Sequence, residues 1–283
     1  MKGTGKKFCI EITEKSWLIS YFRAIQPRII QVLAALLLLI STAKSQTTTY
    51  SQFSPEFQLN RAFSEKWAFE VNINTTFSDT PVNEKALNTK IQGGALLFAH
   101  YYLSSRWKLS SSIACYINHN EPDIEQVQSK EWRFAVQSIY YINRKGFTLS
   151  TKMRPEIRLI TNEDGTTSNS VRYRQMLKYI QPINRPILRQ GTYYGIASEE
   201  ILFRSTYKNS GFHHFDRNMF VVGGGYMITD DLQIELTYTN EFVPRDNGNI
   251  LNNLTSFTIT TNNLFLNFRK NVNKLFTGTG AKE

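Results

Sequence analysis

From Leu232 to Phe242 the chain changes character at every residue. Leu232, Ile234, Leu236, Tyr238 and Phe242 are apolar, while Gln233, Glu235, Thr237, Thr239 and Glu241 between them are polar. Successive side chains of a strand point to opposite faces, so this period of two predicts a strand with one apolar and one polar face. Phe220, Val222, Tyr226 and Ile228 continue the apolar face upstream. A turn around Asp230 closes the two segments into a hairpin.

The same unit recurs along the chain. Phe53, Phe57 and Leu59 alternate with Ser54, Glu56 and Gln58; after a turn near Glu65, Trp67, Phe69, Val71, Ile73 and Phe77 alternate with polar partners. Ile91 to Leu103 and Trp107 to Ile117 read as a further hairpin, although the first of the two is irregular. Trp132, Phe134, Val136, Tyr140 and Ile142 set an apolar face against Phe147, Leu149, Met153, Ile157 and Leu159. Pro155 interrupts that face and predicts a bulge or a strand end. Val171 to Tyr179 continues the pattern, Thr192 to Phe203 resumes it with a facing that Glu199-Glu200 leaves undecided, and Ser256 to Phe268 ends it.

Upstream of these strands, Ile29 to Ile40 is an apolar run preceded by Arg23 and Arg28 and followed by small residues before Gln46. A membrane helix needs roughly 20 apolar residues, and this run is shorter. The arrangement predicts a secretory signal over residues 1–45, cleaved before Gln46, and no cysteine follows the run to take a lipid anchor. Those 45 residues hold seven of the basic side chains and two of the acids, leaving 26 basic against 21 acidic residues. So mild and dispersed a balance excludes a nucleic-acid-binding stripe. Cys115 is alone after the leader, which excludes an internal disulfide and a multi-cysteine metal site.

Short turns are expected near residues 64, 105, 144 and 230, and longer polar connections near 84, 125, 165, 210 and 249. Alternating short and long connections between amphipathic strands predict an all-β fold: a closed antiparallel transmembrane β-barrel with short periplasmic turns and longer extracellular loops. The strands that can be counted number eleven, but single-chain bacterial barrels usually carry an even number. A total of about 12 strands (10–12) is therefore expected, the missing one falling in 46–51, 181–191 or the tail. The barrel would span 46–268, leaving 269–283 as a polar tail.

If Asn143 to Gly146 forms a four-residue turn, Ile142 faces Phe147, Arg133 faces Glu156 and Glu131 faces Arg158. Opposed unlike charges favour that register. With Lys152, Arg154, Arg172, Arg174, Lys178, Arg217, Glu235 and Glu241, these residues form a charge cluster on the inner face. Such a cluster can act as an anion-preferring constriction, or as an ion-pair network that fills and stiffens a small barrel.

Val171-Arg-Tyr-Arg174, Ser198-Glu-Glu200, Asp216-Arg-Asn218, Gly223-Gly-Gly-Tyr226 and Asp230-Asp-Leu-Gln-Ile-Glu-Leu-Thr-Tyr238 together resemble a family of outer-membrane barrels of Bacteroidetes, domain-of-unknown-function family 2490. The resemblance covers nearly all of the chain after the leader, and implies an outer-membrane location without an established activity. The extended leader and the residues after Phe268 depart from the family's pattern.

No cofactor and no metal are expected. The expected partners are outer-membrane lipid and, during biogenesis, the barrel-assembly machinery. His100 with Ser110 or Ser112 on the adjacent strand offers the alternative of a lipid hydrolase, although no nucleophile motif accompanies them. His119 carries no motif, and His213, His214 and Asp216 could meet at a loop tip to hold a metal or simply be solvated. The Gly223-Gly-Gly225 run has no helix behind it to bind phosphate, and is expected instead to let bulky inner side chains approach the backbone.

Overall fold

A computed structural model describes residues 47–79, 89–119, 128–205, 214–245 and 248–262. The leader, the tail and Phe268 lie outside the described residues. Among the described residues eleven strands follow one another: β1 (Thr47–Ala62), β2 (Trp67–Ser78), β3 (Thr89–Tyr102), β4 (Trp107–His119), β5 (Gln128–Asn143), β6 (Thr148–Asn162), β7 (Thr167–Pro182), β8 (Tyr193–Arg204), β9 (Phe215–Met227), β10 (Leu232–Val243) and β11 (Asn249–Asn262). Each pairs antiparallel with its chain neighbour, and β1 pairs with β11 to close the barrel. Closure leaves no sheet edge unpaired.

The period of two decides which side chains point in. Ile73, Val136 and Leu236 stand on the outer face with exposures of 52%, 59% and 56%. Trp132, Phe134, Ile157, Leu177 and Tyr238 share that face, as the alternation predicts. Tyr226 and Ile234 are directly paired there, whereas Glu235 and Thr237 point inward. Cys115 is a free thiol on the outer face of β4. At the rim carrying the β1–β2, β3–β4, β5–β6 and β7–β8 connections, aromatic rings pair across strands: Trp67 with Tyr101, Trp107 with Tyr140, Phe147 with Tyr179 and Tyr193 with Tyr226.

The strand count resolves the parity problem differently from the expected twelve. With an odd number of alternating strands the first and last run the same way, and β1 pairs parallel with β11 from Thr47↔Asn249 to Asn60↔Asn262. Neither of the described places where a twelfth strand was expected supplies one. Residues 47–51 belong to β1, and Ile183–Thr192 is a ten-residue connection held by Gly191 N–H donating to Met227 O (2.7 Å) and Gln190 N–H donating to Asp230 Oδ1 (2.8 Å).

Two connections expected to be long are short. The β6–β7 connection is the four residues Glu163–Thr166, where Gly165 takes φ 82° and the Asp164 carboxylate accepts from Thr166 Oγ1 (2.6 Å) and Thr166 N–H (2.9 Å). These bonds hold the Asp164 carboxyl below its usual range. The β10–β11 connection, 244–248, is only slightly longer. Both strands of the β6–β7 pair therefore run on through residues whose polarity reads as a loop.

The register between β5 and β6 also differs from the expected one. Arg133 stands opposite Arg158, Ala135 opposite Glu156 and Glu131 opposite Ile160, two positions from the predicted pairing. The shift originates at the turn. Asn143 Nδ2 donates to Lys145 O (3.0 Å) and Phe147 O (2.7 Å), Gly146 takes φ 74°, and an irregularity between Tyr141 and Asn143 absorbs the change. A displacement of two leaves every side chain on its predicted face. Pro155 neither ends nor bulges the strand: it pairs with Tyr173, and the β5–β6 ladder lapses locally beside it, as the missing N–H requires.

Candidate functional site

The inner faces of β5 to β10 carry a network of ion pairs. Glu131 receives both Arg133 (Nε 2.7 Å, Nη2 2.9 Å) and Arg158 (Nη2 2.9 Å, with Nε closer still). One carboxylate thus relieves the two arginines that the observed register sets face to face. Glu156, directly opposite Arg172, takes its guanidinium at 2.7 Å and lies 3.2 Å from Arg154 and 3.8 Å from Arg174. Glu200 joins Arg174 (2.7 Å) to Lys152 (3.1 Å). Asp216 gathers Arg204 (2.7 Å), Arg217 (3.1 Å) and Arg172 (3.5 Å), and Arg217 reaches on to Glu241 at 2.8 Å. Aromatic faces carry two of the cations: the Arg133 guanidinium lies 4.0 Å from the Tyr116 ring centroid and that of Arg154 5.6 Å from Phe98.

Two features define the space around this network. The side chains of Glu131, Glu156 and Arg158 are no more than 2% exposed, so protein packs around them where a water-filled channel would leave them wet. Beside them is a cavity of about 290 Å³. Arg133, Arg158, Arg172, Arg174 and Arg217 line it against the carboxylates of Glu56 and Glu241, and Gln52, Asn74, Gln92 and Asn252 supply amides from the β1–β3 and β11 side. Apart from Glu56 near the middle of β1, these positions lie in the halves of their strands toward the β2–β3, β6–β7 and β8–β9 connections. In the other half, Tyr194, Ile196 and Met227 pack with Ile180 as an apolar inner cluster.

Tyr194 explains part of the glycine run. A Cβ on Gly225 would lie 2.3 Å from Tyr194 Cζ, and one on Gly223 would lie 2.4 Å from Leu236 O. The missing side chains let the tyrosine ring lie over β9 and β9 approach β10. Tyr194 O–H then donates to Glu235 at 2.9 Å.

Ten of the twelve predicted cluster residues, Glu131, Arg133, Lys152, Arg154, Glu156, Arg158, Arg172, Arg174, Arg217 and Glu241, meet in the network. Glu235 instead serves Tyr194, and Lys178 lies opposite Ser198 toward the aromatic rim. Arg133 and Glu156 make no ion pair; Arg172 takes the expected place of Arg133. The residues missed are Glu200, Arg204 and Asp216. Glu200 was hidden by the Glu199-Glu200 ambiguity; it points inward while Glu199 lies outside, hydrogen-bonded to Asn218. Asp216 is the extra residue of a bulge at Leu202/Phe203, so both Asp216 and Arg217 are buried although adjacent in sequence.

The histidine readings separate. His100 Nδ1 lies 2.8 Å from Ser110 Oγ and its Nε2 lies 3.1 Å from Glu70 Oε2, with Phe98 stacked on the imidazole at 5.7 Å between centroids. Ser110 rather than Ser112 is the partner, and both it and His100 are buried. His213 lies outside the described residues, and Asp216 is committed to arginines inside the barrel, so the loop-tip metal reading loses its carboxylate. His119 ends β4 opposite Gln128.

No curated protein and no solved structure matches the chain. The family model described as protein of unknown function, DUF2490, matches residues 52–252, from β1 into β11. The charge network and the cavity lining other than Leu254 thus fall within the matched region, and the chain belongs to the DUF2490 family.

Proposed function

We propose that this protein is an integral barrel of a bacterial outer membrane, of the Bacteroidetes type that the resemblance implies, whose interior is an occluded charged chamber and not a conducting pore. The observation that carries this reading is the inversion of the usual order. The outer face is apolar over strands of 12 to 16 residues, and the charges are packed inside. A strand needs about 9–11 residues to cross a bilayer when tilted. Water would dissolve the inner face and reject the outer one; lipid does the reverse. The aromatic rim matches the side chains favoured at a membrane–water interface.

On this reading a cleavable leader delivers the chain, the barrel-assembly machinery inserts it, and lipid is its lasting partner. Carbonate washing should leave the protein in the membrane while detergent releases it. Planar-bilayer recording on the purified barrel should show no steady conductance; a stable open level would overturn the occlusion.

One observation favours a second reading, a hydrolase, because Ser110, His100 and Glu70 stand in hydrogen-bonded sequence. Against it, Ser110 and His100 are buried on the inner face, away from bilayer lipid, and a triad of this kind acts on a substrate carbonyl that must reach the hydroxyl. Labelling of wild-type barrel by a fluorophosphonate probe, lost in Ser110→Ala, would establish the hydrolase; no labelling removes it.

A further inference from the structure

We infer that the arginine-lined cavity is a binding site for a compact oxyanion carrying at least two negative charges, a phosphate group either free or as the monoester of a small polyol. This rests on the occluded-chamber reading, because a wide aqueous lumen would hydrate the arginines without a ligand.

Three observations carry it. The first is charge. Among the described residues the inner network joins eight cations to the five carboxylates Glu131, Glu156, Glu200, Asp216 and Glu241, and the cavity wall itself sets five arginines against two. The wall arginines are themselves paired with carboxylates of the network, and with Glu56 added the balance is eight cations to six carboxylates; the two positive charges left over are costly in a packed interior. The second is donor capacity. Arg133 and Arg158 share the single carboxylate of Glu131 through Nε and Nη2, so that Nη1 of each donates to no side chain among the described residues. Guanidinium groups converging on one space match the oxygens of a phosphate.

The third observation is the opposite wall. Asn74 Oδ1 and Asn252 Oδ1 are buried without a hydrogen-bond partner, although both residues line the cavity. These are acceptors, which a fully ionised oxyanion cannot satisfy and a hydroxyl, of a polyol or of hydrogen phosphate itself, can. Arginines on one side and the neutral amide side chains of Gln52, Asn74, Gln92 and Asn252 on the other suit a ligand with an anionic head and hydroxyls. The cavity of about 290 Å³ is also near the lower end of small-ligand sites.

The test is titration calorimetry on the refolded full barrel in non-ionic detergent, with inorganic phosphate, glycerol 3-phosphate and chloride compared at equal ionic strength. Saturable one-to-one binding of inorganic phosphate or glycerol 3-phosphate, with none for chloride, is expected. Tighter binding of glycerol 3-phosphate would assign the monoester and its hydroxyls, and equal binding the free phosphate group. Arg133→Gln should weaken the affinity at least tenfold. Leu254→Trp, which fills the cavity and removes no charge, should abolish binding in a barrel that still migrates as folded in unheated gels. Heat from phosphate no greater than from chloride, or binding unchanged in both variants, would overturn the inference. A barrel that binds phosphate and also conducts steadily would overturn only the occlusion, and a silent barrel indifferent to phosphate would overturn only this site.

Discussion

At the scale of single residues, the inner wall combines tight approach with shared charge. Gly225 is the sharpest case: a methyl there would stand 2.3 Å from the Tyr194 ring, which is itself held by Glu235. Gly225→Ala should therefore destabilise the refolded barrel by about 1–3 kcal/mol, the usual range for overpacking. Urea titration of Gly225→Ala with and without Tyr194→Ala checks this, since removing the ring should recover part of the loss. Charge sharing makes a second prediction. Glu156 and Arg172 are opposed at 2.7 Å, so their separate changes to Gln should couple by about 0.5–3 kcal/mol in a double-mutant cycle. The cycle between Glu156 and Arg133 should give a smaller coupling, because Arg133 forks onto Glu131. Equal couplings would place the β5–β6 register back where a four-residue Asn143–Gly146 turn sets it.

At the scale of strands, facing decides the cost of a charge. Leu236 is 56% exposed on the outer face of β10, and Leu236→Arg should cost about 2–4 kcal/mol in a bilayer if it lies near the midplane. Leu236→Phe should cost little, and similar losses for both, measured by folding into lipid vesicles, would show that the face does not meet lipid. This facing was legible in the sequence because a period of two survives any even displacement of register: Trp132, Phe134 and Ile157 lie outside, and Glu131, Arg133 and Glu156 inside, although the partners across the ladder moved by two. Less legible was whatever depends on a single extra residue. The bulge that turns Asp216 inward beside Arg217, and the Asn143 side chain that closes the β5–β6 turn, are local hydrogen-bonding outcomes with no periodic signature. The β6–β7 turn escaped for a related reason, since Thr167 to Ser170 is polar on both faces yet pairs as strand.

At the scale of the whole barrel, the odd strand number places the start of β1 and the end of β11 at opposite rims. If the aromatic rim is periplasmic, Glu65 in the β1–β2 turn is hidden from the cell exterior and Glu163 in the β6–β7 turn faces it. With Cys115 replaced by Ala, an impermeant maleimide added to whole cells should label Glu163→Cys and not Glu65→Cys; the opposite pattern would invert the barrel. The parallel seam also imposes an order in time. Gln58 and Thr260 bond across it at a separation of 202 positions, while other neighbouring strands join through local connections. Closing so long a loop costs on the order of 3 kcal/mol more than a four-residue one, and parallel pairs are slightly weaker per residue than antiparallel ones. On that ground the wall should zip from hairpin to hairpin and fasten last between β1 and β11, an order that cysteine pairs placed across the seam and across a hairpin would time during refolding.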